Sequence, residues 1–444
     1  MSSRSTETTP SRRPRAFGRR ELMKKGLTGA AALGALSMAG ACDSMYTSGS
    51  NGRAKIRVWT WYTQQRDEWP RLVDEFQQAH PTIEVENRLF GNTNAYLPAL
   101  QAAVSAGDPP DVFGPHVLAV TYGQAGISAD LRKELGADFL ADFVQSTNDA
   151  YSDGDKQYAV GWMAQMFGIF YDPEVFRRAS VDVPETWDDL IEAVRRIRTA
   201  TRLEGCVVRN IPGTAGLDFL LPLVTQITGD PKLMIDIDHQ RGGAKWTHPA
   251  VVEAMRHVRG MIEGGTISPG PNGIAQPQDE RLLYAGEAAM LYSGSWIPQD
   301  FAQSAPPEFV RRYRVMKTPA WAAGQRHWTA NQAGAGLAVS DVSRNKEAAL
   351  EFLRFIYQRD RYARTMNDSR SMPSTKSAGQ LVQDPVMREM TQWLLDGDGA
   401  PHILFGKGSS AAASNAFAGV VGGQLSPESA AETIQSRVEA AARR

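Results

Sequence analysis

The chain reads as an α/β protein of more than one domain, and three stretches carry that reading. Lys55–Tyr62, a helix-spaced run and Ile83–Phe90 form a strand, helix and strand in quick order. Phe167–Tyr171 is a continuous apolar strand that leads at once to a capped helix, and the glycine-rich strand Ala333–Ser340 precedes the amphipathic run Asn345–Leu353. At 444 residues the length suits two or more domains, and 42% hydrophobic with 22% charged residues is ordinary for a soluble globular chain with a sizeable core.

Each element has a local cause. In the first strand Ile56, Val58 and Thr60 alternate with Arg57, Trp59 and Trp61, so one face is apolar. Trp69, Leu72, Val73 and Phe76 then fall at helical spacing, and Pro81 closes that helix before Ile83. Gly91-Asn92-Thr93-Asn94 is a polar turn ahead of a helix through Tyr96, Leu97, Leu100 and Val104. Asp111 follows Gly107-Asp108-Pro109-Pro110 and is read as a turn and capping carboxylate. The segment from Tyr158 is expected to be a short extended piece broken by Gly161. Thr186-Trp187-Asp188-Asp189 reads as a capping box for the helix through Leu190, Ile191 and Val194. Further helices are expected over Leu217–Thr228, Ala250–Glu263, Asp384–Leu395 and Ser426–Ala442, and Asp396–Ser414 reads as a mobile loop rich in Gly, Ala and Ser.

The first 42 residues have the composition of a targeting segment. They carry eight Lys/Arg against two Asp/Glu, and Gly26–Ala41 is a small-residue apolar run too short and too weakly apolar for a stable membrane span. Taking them from the totals of 48 and 49 leaves 40 basic and 47 acidic residues, a net −7 that argues against nucleic acid as a partner. Gly18-Arg19-Arg20-Glu21-Leu22-Met23-Lys24 resembles a twin-arginine export signal. Ala39-Gly40-Ala41-Cys42 resembles a lipobox, which makes Cys42 the expected lipid attachment and residues 43–53 a flexible tether. Cys206 is then the one cysteine left, so no intramolecular disulfide is expected.

The stretch Tyr158–Val194 carries the strongest signal. Its Tyr-x-Val-Gly-Trp opening, Tyr171-Asp172-Pro173-Glu174-x-Phe176 turn and Pro184-x-Thr186-Trp187-Asp188-Asp189-Leu190 resemble the middle signature of the family 1 extracellular solute-binding proteins, the maltose-binding-protein-like receptors of ABC importers. Gly161 stands where the family usually has proline, and Asp172 where it has asparagine. Two more strings agree: Gly286-Glu287-Ala288-Ala289-Met290 through Gly294-Ser295-Trp296, and Ala333–Ser340 with the helix after it. The resemblance implies an α/β, two-lobed periplasmic-binding-protein-like fold with strand hinges between the lobes. It divides the chain into the signal (1–42), the tether (43–53) and the first part of lobe 1 (54–158), then the first part of lobe 2 (159–315). The second part of lobe 1 (316–365), reached through Tyr313–Pro319, precedes C-terminal helices (366–444) mainly on lobe 2.

The same resemblance implies a solute held in the cleft, with candidate contacts Trp61, Tyr62, Asn92, Asn94, His116, Trp162, Gln165, Ser295, Trp296, Gly334, Ala335 and Met372. Trp162 and Trp296 are the candidates for stacking on a sugar ring, whose C–H faces are apolar while its hydroxyls bond from the sides. The bland reading of either is a core tryptophan, and His116 is equally read as an ordinary loop residue. Phe219 and Asp218 are further residues expected to approach the cleft.

Catalytic signatures are missing from the sequence. It has no Gly-x-Ser-x-Gly elbow and no Gly-Lys-Ser/Thr phosphate loop, and its seven histidines lack metal-ligand spacing. No enzyme activity, cofactor or metal is therefore expected. The expected function is capture of a sugar or oligosaccharide by a membrane-anchored, extracytoplasmic monomer that delivers it to ABC permease subunits. The alternatives are a glycerophosphodiester or another polar solute, and lower still a secreted glycoside-processing enzyme, whose two carboxylates leave no sequence signature.

Overall fold

In the computed structural model the description covers residues 53–210, 215–238, 240–402 and 409–442. The expected signal, Cys42 and nearly all of the tether lie outside the described residues. Strands β1 (Ala54–Thr60), β2 (Ile83–Leu89) and β3 (Val112–Phe113) open the chain, and a small hairpin of β4 (Ser152–Asp153) and β5 (Lys156–Gln157) precedes the long β6 (Val160–Tyr171). Then come β7 (Glu204–Val208), β8 (Ala288–Gly294), β9 (Arg314–Met316), β10 (Thr329–Val339), β11 (Met372–Pro373) and β12 (Gly399–His402). A ten-stranded sheet runs β2-β1-β3-β10-β6-β8-β7, with β11 and β9 also on β6 and β12 on β10.

The first strand behaves as its alternation requires. Ile56, Val58 and Thr60 are buried, β1 pairs in parallel with β2, and the helix Glu68–Ala79 between them buries Trp69, Leu72, Val73 and Phe76. Asp111 accepts a hydrogen bond from the Arg57 backbone at 2.7 Å and another from Ser343, so it ties β1 to the turn after β10. The capping box at Thr186 forms as read, with both reciprocal bonds present ahead of the helix Trp187–Thr201.

The sheet is shared by two bodies of core. One gathers Ile56, Val58, Trp69, Phe76, Trp162, Leu337 and Phe352, joined by Tyr96 and Phe113. The other gathers Phe167, Trp187, Met255, Met290, Phe417 and Ile434, joined by Phe170, Phe301 and Met390. Strand β6 belongs to both. Its residues Val160–Met166 pair with β10, while Phe167–Tyr171 pair with β8 and β9. Strand β10 makes the reverse passage, with Ala330 in the second core and Ala335 and Leu337 in the first. Residues 366–372 cross a third time, between Met366 and Met372.

Three expectations change. Gly161 does not break the chain: β6 is one strand of 12 residues, and a Cβ at that glycine would come within 2.9 Å of Ser374 Oγ and 3.2 Å of Thr147 Cβ. Close packing, not flexibility, is its use. The return to the first core is made by β10 and not at Tyr313–Pro319, because Tyr313, Val315 and Met316 pack in the second core. Within Asp396–Ser414, Gly399–His402 is no loop but a strand parallel to β10, and a Cβ on Gly399 would sit 2.6 Å from Asn331 Cβ. Residues 403–408 of that stretch lie outside the described residues.

Candidate functional site

Where β6 changes partners, the two cores face each other across a cleft. Its inner part is a pocket of about 20 Å³, room for roughly one water, lined by Gln64, Met163, Ala164, Gln165, Ser295, Trp296, Gln299, Arg370, Ser371 and Met372. It widens into a cavity of about 510 Å³ with Thr63, Gln64, Arg66, Asp67 and Glu68 on one wall and Gln276, Trp296, Gln299, Asp300 and Gln303 on the other. A larger depression of about 650 Å³ lies at the opposite end of β1, around Lys55, Arg57 and Asp108. Its charges are spent on one another, as in the 2.7 Å Arg57–Asp108 pair. The cleft between the cores is lined by a half-buried indole and by polar side chains from two bodies, and it is the candidate site.

Trp296 supplies the aromatic face. It follows β8 through Gly294 and opens the helix Ile297–Ser304, with its ring edge-on to Phe167 at 5.3 Å between centroids. The indole lies directly over Gly294, where a Cβ would stand 2.1 Å from the ring. That glycine is what lets the plate lie flat. Trp296 Nε1 is buried and has no hydrogen-bond partner among the described residues. Ser295, 4% exposed, fixes this corner by donating its backbone N–H to Met166 at 2.9 Å.

Trp162 is a correction. Its side chain is fully buried, packed on Trp69, Tyr357 and Tyr362 at centroid distances of 5.1, 5.3 and 5.0 Å, and its Nε1 donates to Gln65. Inside a strand of a sheet covered on both faces, near its start, alternation turns it into the core, and no ring face is left for a ligand. Tyr62 is likewise 1% exposed, with its hydroxyl donating to the Gly336 carbonyl. Phe219 packs edge-on to Tyr292 at 4.8 Å, and the Asp218 carbonyl accepts from Tyr292 at 2.7 Å, so both belong to the second core.

Gln165, Ser295, Trp296 and Met372 meet in the inner pocket. Trp61 and His116 come together elsewhere, 5.5 Å apart at the carboxyl ends of β1 and β3, with Tyr96 4.7 Å from Trp61. His116 has a φ of +51°, uncommon for a residue with a Cβ. Asn92 caps the helix Thr93–Ser105 by accepting from the Ala95 N–H at 2.9 Å, and Asn94 is exposed in its first turn. Gly334 falls at the register shift between Gln332 and Ala335, whose own side chain is in the first core.

The sequence reading missed Gln64, Arg66, Asp67 and Glu68, and Gln276, Gln299, Asp300, Gln303 and Arg370. The first group sits just past the carboxyl end of β1, the place where open α/β sheets meet ligands. The 299, 300, 303 set follows Trp296 at helical spacing.

Charge at the mouth is mainly negative. Burial raises the Glu68 carboxyl above its ordinary range. Behind Asp300 lies Glu280, 2% exposed; burial first and mutual repulsion second hold the Glu280 proton up to about 8, and burial raises Asp300 too. Gln276 Nε2 bridges the two at 2.8 and 3.1 Å. Among the described residues no three metal-ligating side chains cluster, and no helix is long and apolar enough to cross a membrane.

Two bodies of core joined by three chain passages, with a polar cleft between them, define a two-lobed periplasmic-binding-protein-like protein. Residues 62–360 match the family model of bacterial extracellular solute-binding proteins, well over half of the chain, and the protein belongs to that family. It is 24% identical over 356 residues to the melibiose/raffinose/stachyose-binding protein of Bacillus subtilis, covering 75% of this chain and 77% of that one. The GacH receptor of Streptomyces glaucescens, solved unliganded and with acarbose, shares the fold at a TM-score of 0.72 and 21% identity, over 88% of this chain and 97% of that one. A chitin oligosaccharide binding protein does so at 0.73 and 18%, over 89% and 100%.

Proposed function

We propose that the cleft captures a neutral oligosaccharide and that the loaded, closed protein delivers it to the permease of an ABC importer. The carrying observation is Trp296, an indole laid over Gly294 with one face toward a cavity whose rim is mostly glutamine and carboxylate. Sugar C–H faces seat on such a plate, and the amides and carboxylates on the two walls serve the hydroxyls. A ligand touching both walls favours the closed state by its differential affinity, the only energy it contributes to closure. The contact set proposed is Gln64, Gln165, Ser295, Trp296, Gln299, Asp300, Arg370 and Met372, with Trp61 and His116 at the edge of the first lobe. Sugar binding by the relatives named above supports the substrate class.

The same reading includes action as a monomer, together with export through the twin-arginine-like segment and lipid attachment at Cys42, the last two supported by the sequence alone. A glycerophosphodiester is the second reading, favoured by Arg66 and Arg370 on the lining. Calorimetry with maltose, raffinose, diacetylchitobiose and glycerophosphocholine separates the two. Saturable, turnover-free binding of a sugar is expected; binding of the phosphodiester alone transfers the site to the second reading, and release of cleaved sugar points to an enzyme.

A further inference from the structure

Three chain passages supply the first lobe's side of the cleft: the turn after β1, the middle of β6, and the segment entering β11. One buried side chain touches all three. Gln65, 0% exposed, ends the short helix Thr63–Gln65, whose neighbours Gln64 and Arg66 line the cleft. Its Oε1 accepts from Trp162 Nε1, on the strand that presents Gln165 to the inner pocket. Its Nε2 donates to Ser369 Oγ at 3.3 Å, with Met366 Sδ at 3.6 Å. Ser369 Oγ lies 3.0 Å from Ser371 Oγ, and between those two serines Arg370 is held at a φ of +44°, facing the pocket.

The orientation of that carboxamide is dictated. An indole N–H only donates, so Oε1 must face Trp162, and the donor Nε2 is left for the serine. Both ends are spent in a fully buried site, where a half-satisfied network is costly. The strand end is fixed again by Tyr362, whose hydroxyl donates to the Trp162 carbonyl and accepts from the Ser374 N–H at 2.9 Å. Arg370, in a backbone region that a residue with a Cβ seldom adopts, depends on neighbours that hold it there.

We propose that Gln65 is the positioning residue of the cleft: without touching ligand, its carboxamide keeps residues 63–68, 163–165 and 369–372 in mutual register. Trp162 then acts on the site from behind, as the donor that sets the amide. This rests on the reading of the cleft as the ligand site, but its first test needs no ligand.

Hydrogen–deuterium exchange of the full chain, with and without Gln65→Met, reads the coupling directly. Amides of 63–68 and of 369–372 are expected to exchange at least tenfold faster together, while the helix Trp187–Thr201 is unchanged. Faster exchange in the first segment alone, or in neither, overturns the proposal. Ser369→Ala, which removes the acceptor for Nε2 together with the hydroxyl's own bonds to the Thr365 carbonyl and Ser371 but leaves Gln65 in place, is expected to give the same paired rise and serves if Gln65→Met does not fold. Gln65→Glu adds a readout that mere space-filling would not move. As the neutral acid it repeats the acceptor and donor of glutamine, so protection corrected for intrinsic rate is expected to match the wild type at pH 5 and to be lost at pH 8. A pH-independent result counts against it. By calorimetry with maltotriose and raffinose, Gln65→Met is expected to weaken whichever sugar binds the wild type about tenfold at unchanged stoichiometry, and equal affinity overturns the role. If neither sugar binds the wild type, the carbohydrate reading fails while the exchange result still decides Gln65.

Discussion

Gly161-Trp162 and Gly294-x-Trp296 look alike in the sequence, yet one indole is walled in and the other faces the cleft. The first pair lies inside β6, where every residue but Gln165 is buried and alternation leaves Trp162 no outward choice. The second straddles the end of β8, where the chain turns into a helix and the ring folds back over the glycine. Of these two tryptophans, the one that lines the cleft is the one whose strand has ended. Strand interiors of a doubly covered sheet spend their aromatics on the core.

The largest expected effect breaks the pair apart. Trp162→Ala empties a core site and should cost about 3–5 kcal/mol in denaturant unfolding. Trp296→Ala should leave the unfolding midpoint nearly in place and weaken sugar binding by about 1–3 kcal/mol in calorimetry. Equal stability losses in the two variants would erase the distinction. Gly294→Ala is next: its Cβ would stand 2.1 Å from the Trp296 ring, so the plate must move. We expect affinity to fall about tenfold, a loss of about 1.4 kcal/mol, with a smaller loss of stability. Unchanged affinity would mean that the ring's position over the glycine is irrelevant to the ligand.

The wall behind Trp296 gives a pH test. Because folding raises the Glu280 proton affinity from the ordinary 4.5 to about 8, the native state holds that proton more tightly than the unfolded chain. Its stabilising effect is complete below about 4.5 and is lost as pH rises through about 8. Glu280→Gln should therefore gain on the wild type with rising pH, by at least about 1 kcal/mol at pH 8, in thermal melts between pH 5 and 8. Parallel curves would show that the carboxyl is not held this way. The smallest effect is a control away from the cleft. Thr186→Ala removes one arm of the capping box and should cost about 1 kcal/mol of stability with ligand affinity untouched.

Much of the fold was legible because its causes are local. The alternation of Ile56, Val58 and Thr60, the spacing of Trp69 to Phe76 and the box at Thr186 each need only a few neighbouring residues, and each element stands where they put it. Less of the site was legible. Trp296 was singled out from its string and does line the cleft, but the polar residues on both walls were not, since Gln64 and Gln299 carry no motif and acquire meaning only by facing each other.

By itself the sequence determined the α/β class, the capped helices and the family, all of which follow from periodicity, turn chemistry and short strings. Tertiary structure alone decided which tryptophan meets solvent, where β6 and β10 pass from one core to the other, and that Gln65 stands behind the cleft. Burial and register depend on partners far along the chain: Trp162 is closed in by Tyr357 and Tyr362, residues that no local pattern places beside it.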